Sequence, residues 1–193
     1  MLALQGDFRE HLAVLAALGA DARPVRRASE LGEVDGLVIP GGESTVMDKL
    51  MRSFGLADAL RAAVDSGLPV YGTCAGLILL ADRIEGAAPG QQTIGGLDVT
   101  VRRNAFGSQT DSFEVDLDVP DLGDPPVHAV FIRAPVITSA GDDVTPVATL
   151  ADGRIVAARQ GNLLATSFHP EMNGEYRFHS LFLDIVGAAR ERR

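Results

Sequence analysis

Between residues 36 and 81 the sequence switches twice from a short apolar run to helical spacing, and this alternation constrains the fold most. "GLVIP" (36–40) is a buried strand, and it leads through "GGEST" into a helix carrying Val46, Leu50 and Met51. A further helix covers about 56–66; "LPVYG" (68–72) is the next strand and "GLILLA" (76–81) the next helix. Such βαβα order makes a parallel sheet with helices on both faces. The same order holds at the start. "MLAL" (1–4) is a strand short for a central position, as if residues preceded it. Phe8, Leu12, Leu15 and Leu18 then share one helix face, with Asp7 and Glu10 as a capping pair and Gly19 as the stop. "ARPVR" (22–26) reads as a strand and "SELGEV" as a short helical link.

The second half has a different period. "LDVTVRR", "SFEVDLDV", "HAVFIR", "TPVATL", "RIVAARQ" and "NLLATSF" alternate or run apolar with no long helix between them, which predicts antiparallel additions to the sheet. A closing helix spans about 175–190, with Phe178, Leu181, Phe182, Ile185 and Val186 on one side. There is no internal repeat and no Pro-, Gly- or Ser-rich linker. The expectation is one α/β domain over residues 1–193, three layers deep, its central sheet mostly parallel.

Composition excludes several classes. Apolar residues at 46% and charged residues at 22% are a globular mix. No apolar run approaches the roughly 18 residues of a membrane span, and no basic-then-apolar leader opens the chain. One cysteine makes no internal disulfide. A formal charge of −9 argues against non-specific nucleic-acid binding, which runs on clustered Lys and Arg. The expected setting is cytoplasmic, with neither membrane nor nucleic acid as partner.

That cysteine lies in Gly72-Thr73-Cys74-Ala75-Gly76, between the strand "LPVY" and the helix "GLILLA". This G-x-C-x-G has the strand–turn–helix setting of a nucleophile elbow. A sharp turn strains the nucleophile's backbone, and flanking glycines remove side chains that would collide with neighbouring strands. The helix N-terminus favours thiolate over thiol, and the Ala75 N–H can face an oxyanion. The plain alternative is a small buried hydrophobe.

Of four histidines, His169 stands apart. In "LLATSFHPE" it ends an apolar strand, Pro170 breaks the chain after it, and Glu171 lies two residues on, which suits a Cys-His-Glu triad. A helix-entry turn has the same spacing. His11 falls in a polar part of the first helix, His128 begins a strand, and His179 reads as solvated or packed. In "VIPGGEST" the strand leaves through Gly41 and Gly42 into a helix capped by Ser44 or Thr45. Bare amides after a strand form oxyanion holes and carboxylate nests. All three pieces lie at strand carboxyl ends, where open α/β sheets bind ligands.

With these residues the chain resembles the triad (class I) glutamine amidotransferases. Within them it is similar to the SNO/PdxT family, the glutaminase subunits of pyridoxal 5′-phosphate synthase. "LALQGDFREH", "GLVIPGGEST", "YGTCAGLILLA", "RRNAFG", "FIRAP" and "ATSFHPEM" carry the likeness over essentially the whole chain. G-x-C-x-G and HPE specify only the class; the other motifs are more particular. Where the family usually has arginine after "FG", this chain has Ser108.

The resemblance implies that Cys74 attacks the side-chain amide of L-glutamine and that His169, oriented by Glu171, moves the proton. It places glutamine against Gly42, Glu43 and Ser44, with Arg103, Ile132 and Arg133 completing the pocket. A carboxylate suits the substrate's α-amino group, and an arginine suits its α-carboxylate. Ammonia would pass to a TIM-barrel synthase subunit, on a dodecameric core carrying equal numbers of glutaminases. No metal or organic cofactor is implied, since thiolate acyl transfer needs none. The competing readings are another glutaminase, such as that of imidazole glycerol phosphate synthase, and a non-catalytic α/β interaction protein. A cysteine peptidase or thiol chaperone leaves "GGES" and Arg103 without a role.

Overall fold

A computed structural model describes residues 1–105 and 112–192. The Phe106-Gly107 of "RRNAFG" and the Ser108 departure lie outside the described residues. The first half of the chain forms α1 (Phe8–Ala17), a 3₁₀ turn (Ala28–Glu33), β1 (Leu37–Ile39), α2 (Ser44–Ser53), α3 (Ala57–Asp65), β2 (Val70–Thr73) and α4 (Ala75–Leu80). Then follow β3 (Ala81–Glu85), β4 (Leu97–Arg102), β5 (Ser112–Leu117), β6 (Val127–Ile132) and β7 (Val136–Ala140). β8 (Thr145–Thr149), β9 (Ile155–Gln160), β10 (Leu163–Thr166) and α5 (Arg177–Glu191) complete the chain.

Strand side chains point alternately to opposite faces, and here the alternation divides the interior into two cores. Leu37, Ile39, Val70, Leu163 and Ala165 join one core with Met47 and Met51 of α2, Leu60 of α3 and Leu77 of α4. Val38, Tyr71 and Leu164, the intervening residues, join the other with Leu15 of α1 and Phe178, Phe182 and Ile185 of α5. Three layers follow, as expected. The sheet runs β1-β2-β10-β9-β7-β4-β3, with β8 paired to β9. β1, β2 and β10 form a parallel block, β9, β7 and β8 are antiparallel additions, and β3 pairs parallel with β4 at the far edge.

Several expectations change in detail. "MLAL" and "ARPVR" contribute no strand beyond a parallel bridge between Leu2 and Val25, with the Leu2 N–H donating to Val38 O at 2.8 Å. "NLLATSF", expected as an antiparallel addition, instead places β10 parallel to β2 in the middle of the sheet. β3 and β7 went unanticipated because neither "ADRIE" nor "VITSA" has a clear apolar period. In α2 the buried face is Ser44, Met47, Asp48 and Met51, and Val46 is exposed. Asp48 tolerates burial because its carboxylate accepts from Arg52 and from the Gln92 N–H.

β5 and β6 make a separate two-stranded sheet that clasps the segment after β10. Phe113 stacks on Phe131 at 4.5 Å between ring centroids, Phe131 meets Phe168 at 5.5 Å, and Phe168 meets Phe178 of α5 at 5.2 Å. Full burial of each such ring is worth about 1.5–3 kcal/mol. This aromatic column fixes the backbone immediately before His169. The His169 N–H donates to Val130 O of β6 at 2.9 Å.

α4 lies directly on the strands, with all six of its residues buried. A Cβ at Gly76 would stand 2.3 Å from Ile39 O of β1, and one at Gly72 would stand 2.5 Å from the Gly76 carbonyl carbon. Both neighbours are backbone and cannot turn aside. Gly76→Ala should therefore destabilise the fold by about 1–3 kcal/mol, read as a lower urea midpoint at unchanged slope.

Candidate active site

The turn between β2 and α4 holds Cys74 at φ 48° and ψ −100°. Such a backbone costs an L-residue about 1–3 kcal/mol and persists only where surroundings dictate it. The dictating contacts are the two glycine approaches and the Cys74 N–H, which donates to Thr166 O at 2.8 Å. Thr73 pairs with Thr166 on the last rung between β2 and β10, so Cys74 and His169 both lie just beyond one rung. Cys74 is 7% exposed, and Ala75 opens α4 directly behind it.

His169 is buried, and its Nδ1 faces two carboxylates: Glu171 Oε1 at 2.7 Å and Asp7 Oδ2 at 3.0 Å. Burial by itself pushes the imidazole's proton affinity down, but Asp7, Cys74 and Glu171 reverse this and push it up to about 12. Two carboxylates on Nδ1, with Cys74 against the ring, thus favour the protonated form of His169. Burial and the neighbouring Asp7 raise the Glu171 carboxyl to about 7, against the pull of His169. Burial also acts to raise Asp7, yet its bonds to His169 and Glu171 hold it well below the usual carboxylate range. The expected capping pair fails here. Asp7 occupies the N-cap of α1, but its side chain caps no amide and reaches His169 instead.

A further pair of imidazoles lies behind Glu171. His11 is wholly buried rather than in a polar part of its helix, and His179 is packed, the second of its two expected settings. His11 Nδ1 is 2.8 Å from His179 Nε2, and His11 Nε2 is 3.1 Å from Thr73 Oγ1 and 3.4 Å from Glu171 Oε2. His179 Nδ1 has no hydrogen-bond partner among the described residues. An orphaned lone pair is tolerated better than an orphaned N–H, which assigns the His179 proton to Nε2, donating to His11 Nδ1. The His11 proton then lies on Nε2, donating to Thr73 Oγ1, and the nearby Glu171 Oε2 has no hydrogen-bond partner among the described residues. Ligand atoms of Asp7, His11 and Glu171 lie within 4.8 Å of one another. Each of these residues is engaged with its neighbours in this network, and the grouping reads as hydrogen bonding around His169 rather than as a metal centre.

The glycine loop after β1 covers the imidazole. A Cβ at Gly41 would lie 2.3 Å from His169 Cε1, and Gly42 holds φ 144° with Gln5 pressed against it. Gln5 Oε1 accepts from the Glu43 N–H at 2.8 Å. Glu43, rather than Ser44 or Thr45, caps α2, its carboxylate accepting from Thr45 N–H at 3.2 Å and Val46 N–H at 2.7 Å. Arg103 Nη2 donates to Glu43 Oε1 at 3.1 Å, and its Nη1 donates to Gln91 Oε1 at 2.7 Å. Gln91, unremarked in the sequence, also donates to buried Ser44 Oγ at 3.0 Å. Thus Gly42, Glu43, Ser44 and Arg103 converge beside the glycine loop that covers His169. Ile132 ends β6 and Arg133 follows, exposed and at φ 43°. The next carbonyl, of Ala134, accepts from Ala105 N–H at 3.1 Å, which ties this segment to that of Arg103.

This geometry can activate a thiol, accept an oxyanion on backbone amides and hold a zwitterionic end group. The model of the SNO glutamine amidotransferase family matches residues 1–187. The chain belongs to that family. It is 68% identical over 186 residues to the pyridoxal 5′-phosphate synthase subunit PdxT of Clavibacter michiganensis subsp. michiganensis, covering 96% of this chain and 89% of that protein. Identity to the protein of the same name from Leifsonia xyli subsp. xyli is 64%, over 95% and 92% of the two chains. A crystal structure of a glutamine amidotransferase superposes with a TM-score of 0.90 at 48% identity, over 96% of this chain and 97% of that one. The same fold extends further, to a GMP synthase component of Thermoplasma acidophilum at a TM-score of 0.70 and 22% identity, over 98% and 94%.

The buried imidazoles have a consequence for stability. Burial, with the charge of His179 adding to it, lowers His11 to about 3; burial lowers His179 to about 4. In the unfolded chain both titrate near 6.5. Their stabilisation is therefore complete above pH 6.5 and is lost as pH falls toward 4, with a limiting slope of about 1.4 kcal/mol per pH unit for each ring. Urea unfolding between pH 7 and 4 should show this decline, and His179→Leu should make it shallower.

Proposed function

We propose that the chain is the glutaminase subunit of a pyridoxal 5′-phosphate synthase, hydrolysing L-glutamine at Cys74. One observation carries the chemistry: a strained cysteine opens a helix opposite a buried imidazole whose Nδ1 faces two carboxylates. The relatives named for the synthase subunit carry the biological assignment.

In this reading the Cys74 sulfur attacks the side-chain amide carbon of glutamine. Negative charge on the carbonyl oxygen is met by backbone N–H groups of the Gly41-Gly42 loop and of Ala75. The C–N bond breaks as His169 gives its Nε2 proton to the departing nitrogen, which leaves as ammonia. Water then adds to the glutamyl thioester and passes a proton to His169, and the C–S bond breaks to release glutamate and thiolate. Glu171 orients the ring and stabilises its cationic form. Gly42, Glu43 and Ser44 line the substrate's main-chain end, with Arg103, Ile132 and Arg133 opposite. Glu43 suits the α-amino group and Arg103 the α-carboxylate. Substrate binding would then loosen a Glu43–Arg103 pair that already exists.

Ammonia is the product to be kept from solvent, so the natural acceptor is a synthase subunit bound to this chain. A TIM-barrel partner on a dodecameric core with equal numbers of glutaminases is the assembly we infer, in the cytoplasm. Among the described residues no helix is long and apolar enough to cross a membrane.

Glutamate release from glutamine, measured with and without the synthase subunit, tests the reading. Cys74→Ala should remove activity while leaving the thermal melt in place; activity in that variant would refute Cys74 as nucleophile. The isolated chain should turn over slowly and accelerate with the synthase. Arg103→Ala should raise KM by about 10-fold or more, the worth of a charge-assisted bond, with a smaller change in kcat.

A further inference from the structure

Asp7 has given up the position its sequence prepares for it. An aspartate at a helix N-cap normally accepts from the second or third amide of the helix, a bond worth about 1 kcal/mol. Here that bond is absent, and Asp7 Oδ2 lies 3.0 Å from His169 Nδ1, the atom that Glu171 Oε1 also approaches at 2.7 Å.

The placement is built rather than incidental. Gly6 is packed so closely that a Cβ there would lie 1.8 Å from Gly41 O, and a Cβ on Gly41 would lie 2.9 Å from Asp7 Oδ2. Gln5, on the other side, accepts from Glu43 N–H. The segment 5–7 is thus wedged between the glycine loop and the imidazole, and Asp7 has little room to turn away. α1 presents its positive N-terminal end to the same carboxylate.

We propose that Asp7 is a second positioning carboxylate for His169, sharing the Nδ1–H with Glu171 and able to hold the ring when Glu171 is lost. The proposal rests on the glutaminase reading above. A bifurcated bond from one N–H to two carboxylates fixes the ring plane from two directions, which one acceptor does not. It also places two acidic groups beside one cation, so that the site keeps an anion on Nδ1 when Glu171 takes up a proton near pH 7. The titratable groups facing the imidazole are Asp7 and His11 from α1, Cys74 before α4, and Glu171 after β10.

The test is a double-mutant cycle on the full chain, assayed for glutamate release with the synthase subunit present. Asp7→Ala alone should lower kcat about five-fold with KM unchanged, since Glu171 still holds the ring. In a Glu171→Ala background the same change should lower kcat by about 30-fold or more, because the last carboxylate on Nδ1 has gone. Should Glu171→Ala not fold, Glu171→Gln serves as the background. Asp7→Ala should also move the alkaline limb of kcat/KM to lower pH, as the imidazolium loses one stabilising anion. Asp7→Asn, which keeps an acceptor but no charge, should recover part of kcat and leave the limb displaced. A residue serving only the fold would lower the melting temperature without moving that limb. Equal factors for Asp7→Ala in both backgrounds, with the limb unmoved, would overturn the proposal. Activity in the Cys74→Ala control would instead overturn the reading of the site on which it rests.

Discussion

The approach of α4 to the strands beneath it is the constraint from which the site follows. Gly72 and Gly76 leave no side chain between the helix backbone and β1 and β2, and any Cβ there would meet carbonyl groups at 2.3–2.6 Å. With the helix seated so low, the connecting residue must turn sharply, and Cys74 takes a φ of 48°. The strain, about 1–3 kcal/mol, is offset by burial of every residue of α4 and by the bond from Cys74 N–H to Thr166 O. Moving the helix outward would relax the cysteine and withdraw it from the imidazole together.

Parallel pairing of β10 with β2 supplies the second half of the site. The register Thr166↔Thr73 brings the ends of two distant segments to one level, with Cys74 one residue beyond it and His169 three beyond. His169 needs further support because it follows the sheet rather than belonging to it. The β5–β6 sheet provides this through the bond from His169 N–H to Val130 O and the ring column Phe113–Phe131–Phe168–Phe178. The antiparallel half of the molecule is therefore part of the site's frame.

Buried ionisable groups are expensive unless each satisfies another. In this chain they gather as one network at the carboxyl ends of the parallel strands: Asp7, His11, His169, Glu171 and His179. Burial lowers the proton affinity of the two outer imidazoles, and against its own burial the neighbouring carboxylates raise that of the inner one. His179 meets His11 and His11 meets Thr73, with Glu171 Oε2 3.4 Å from His11 Nε2, while Glu171 Oε1 and Asp7 face His169 Nδ1. A parallel arrangement lies beside the glycine loop, where Glu43, Arg103, Gln91 and Ser44 satisfy one another.

Local pattern alone determined the layered α/β class, the strand–turn–helix around Cys74 and the singling out of His169 with Glu171. Each of these is written in contiguous residues: apolar runs, helical spacing, glycines at a turn, a proline after a strand. The placing of β10 at the sheet's centre, the separate β5–β6 sheet, the burial of His11 and its pairing with His179 were not legible, because they depend on which segments pair at long range. Asp7 shows the limit most clearly. Its sequence position reads as a helix cap, and only the folding of "QGD" against the Gly41 loop turns its carboxylate toward an imidazole that lies near the other end of the chain. A side chain's nearest neighbours in sequence set its backbone; its partner is chosen by whatever packing brings within 3 Å.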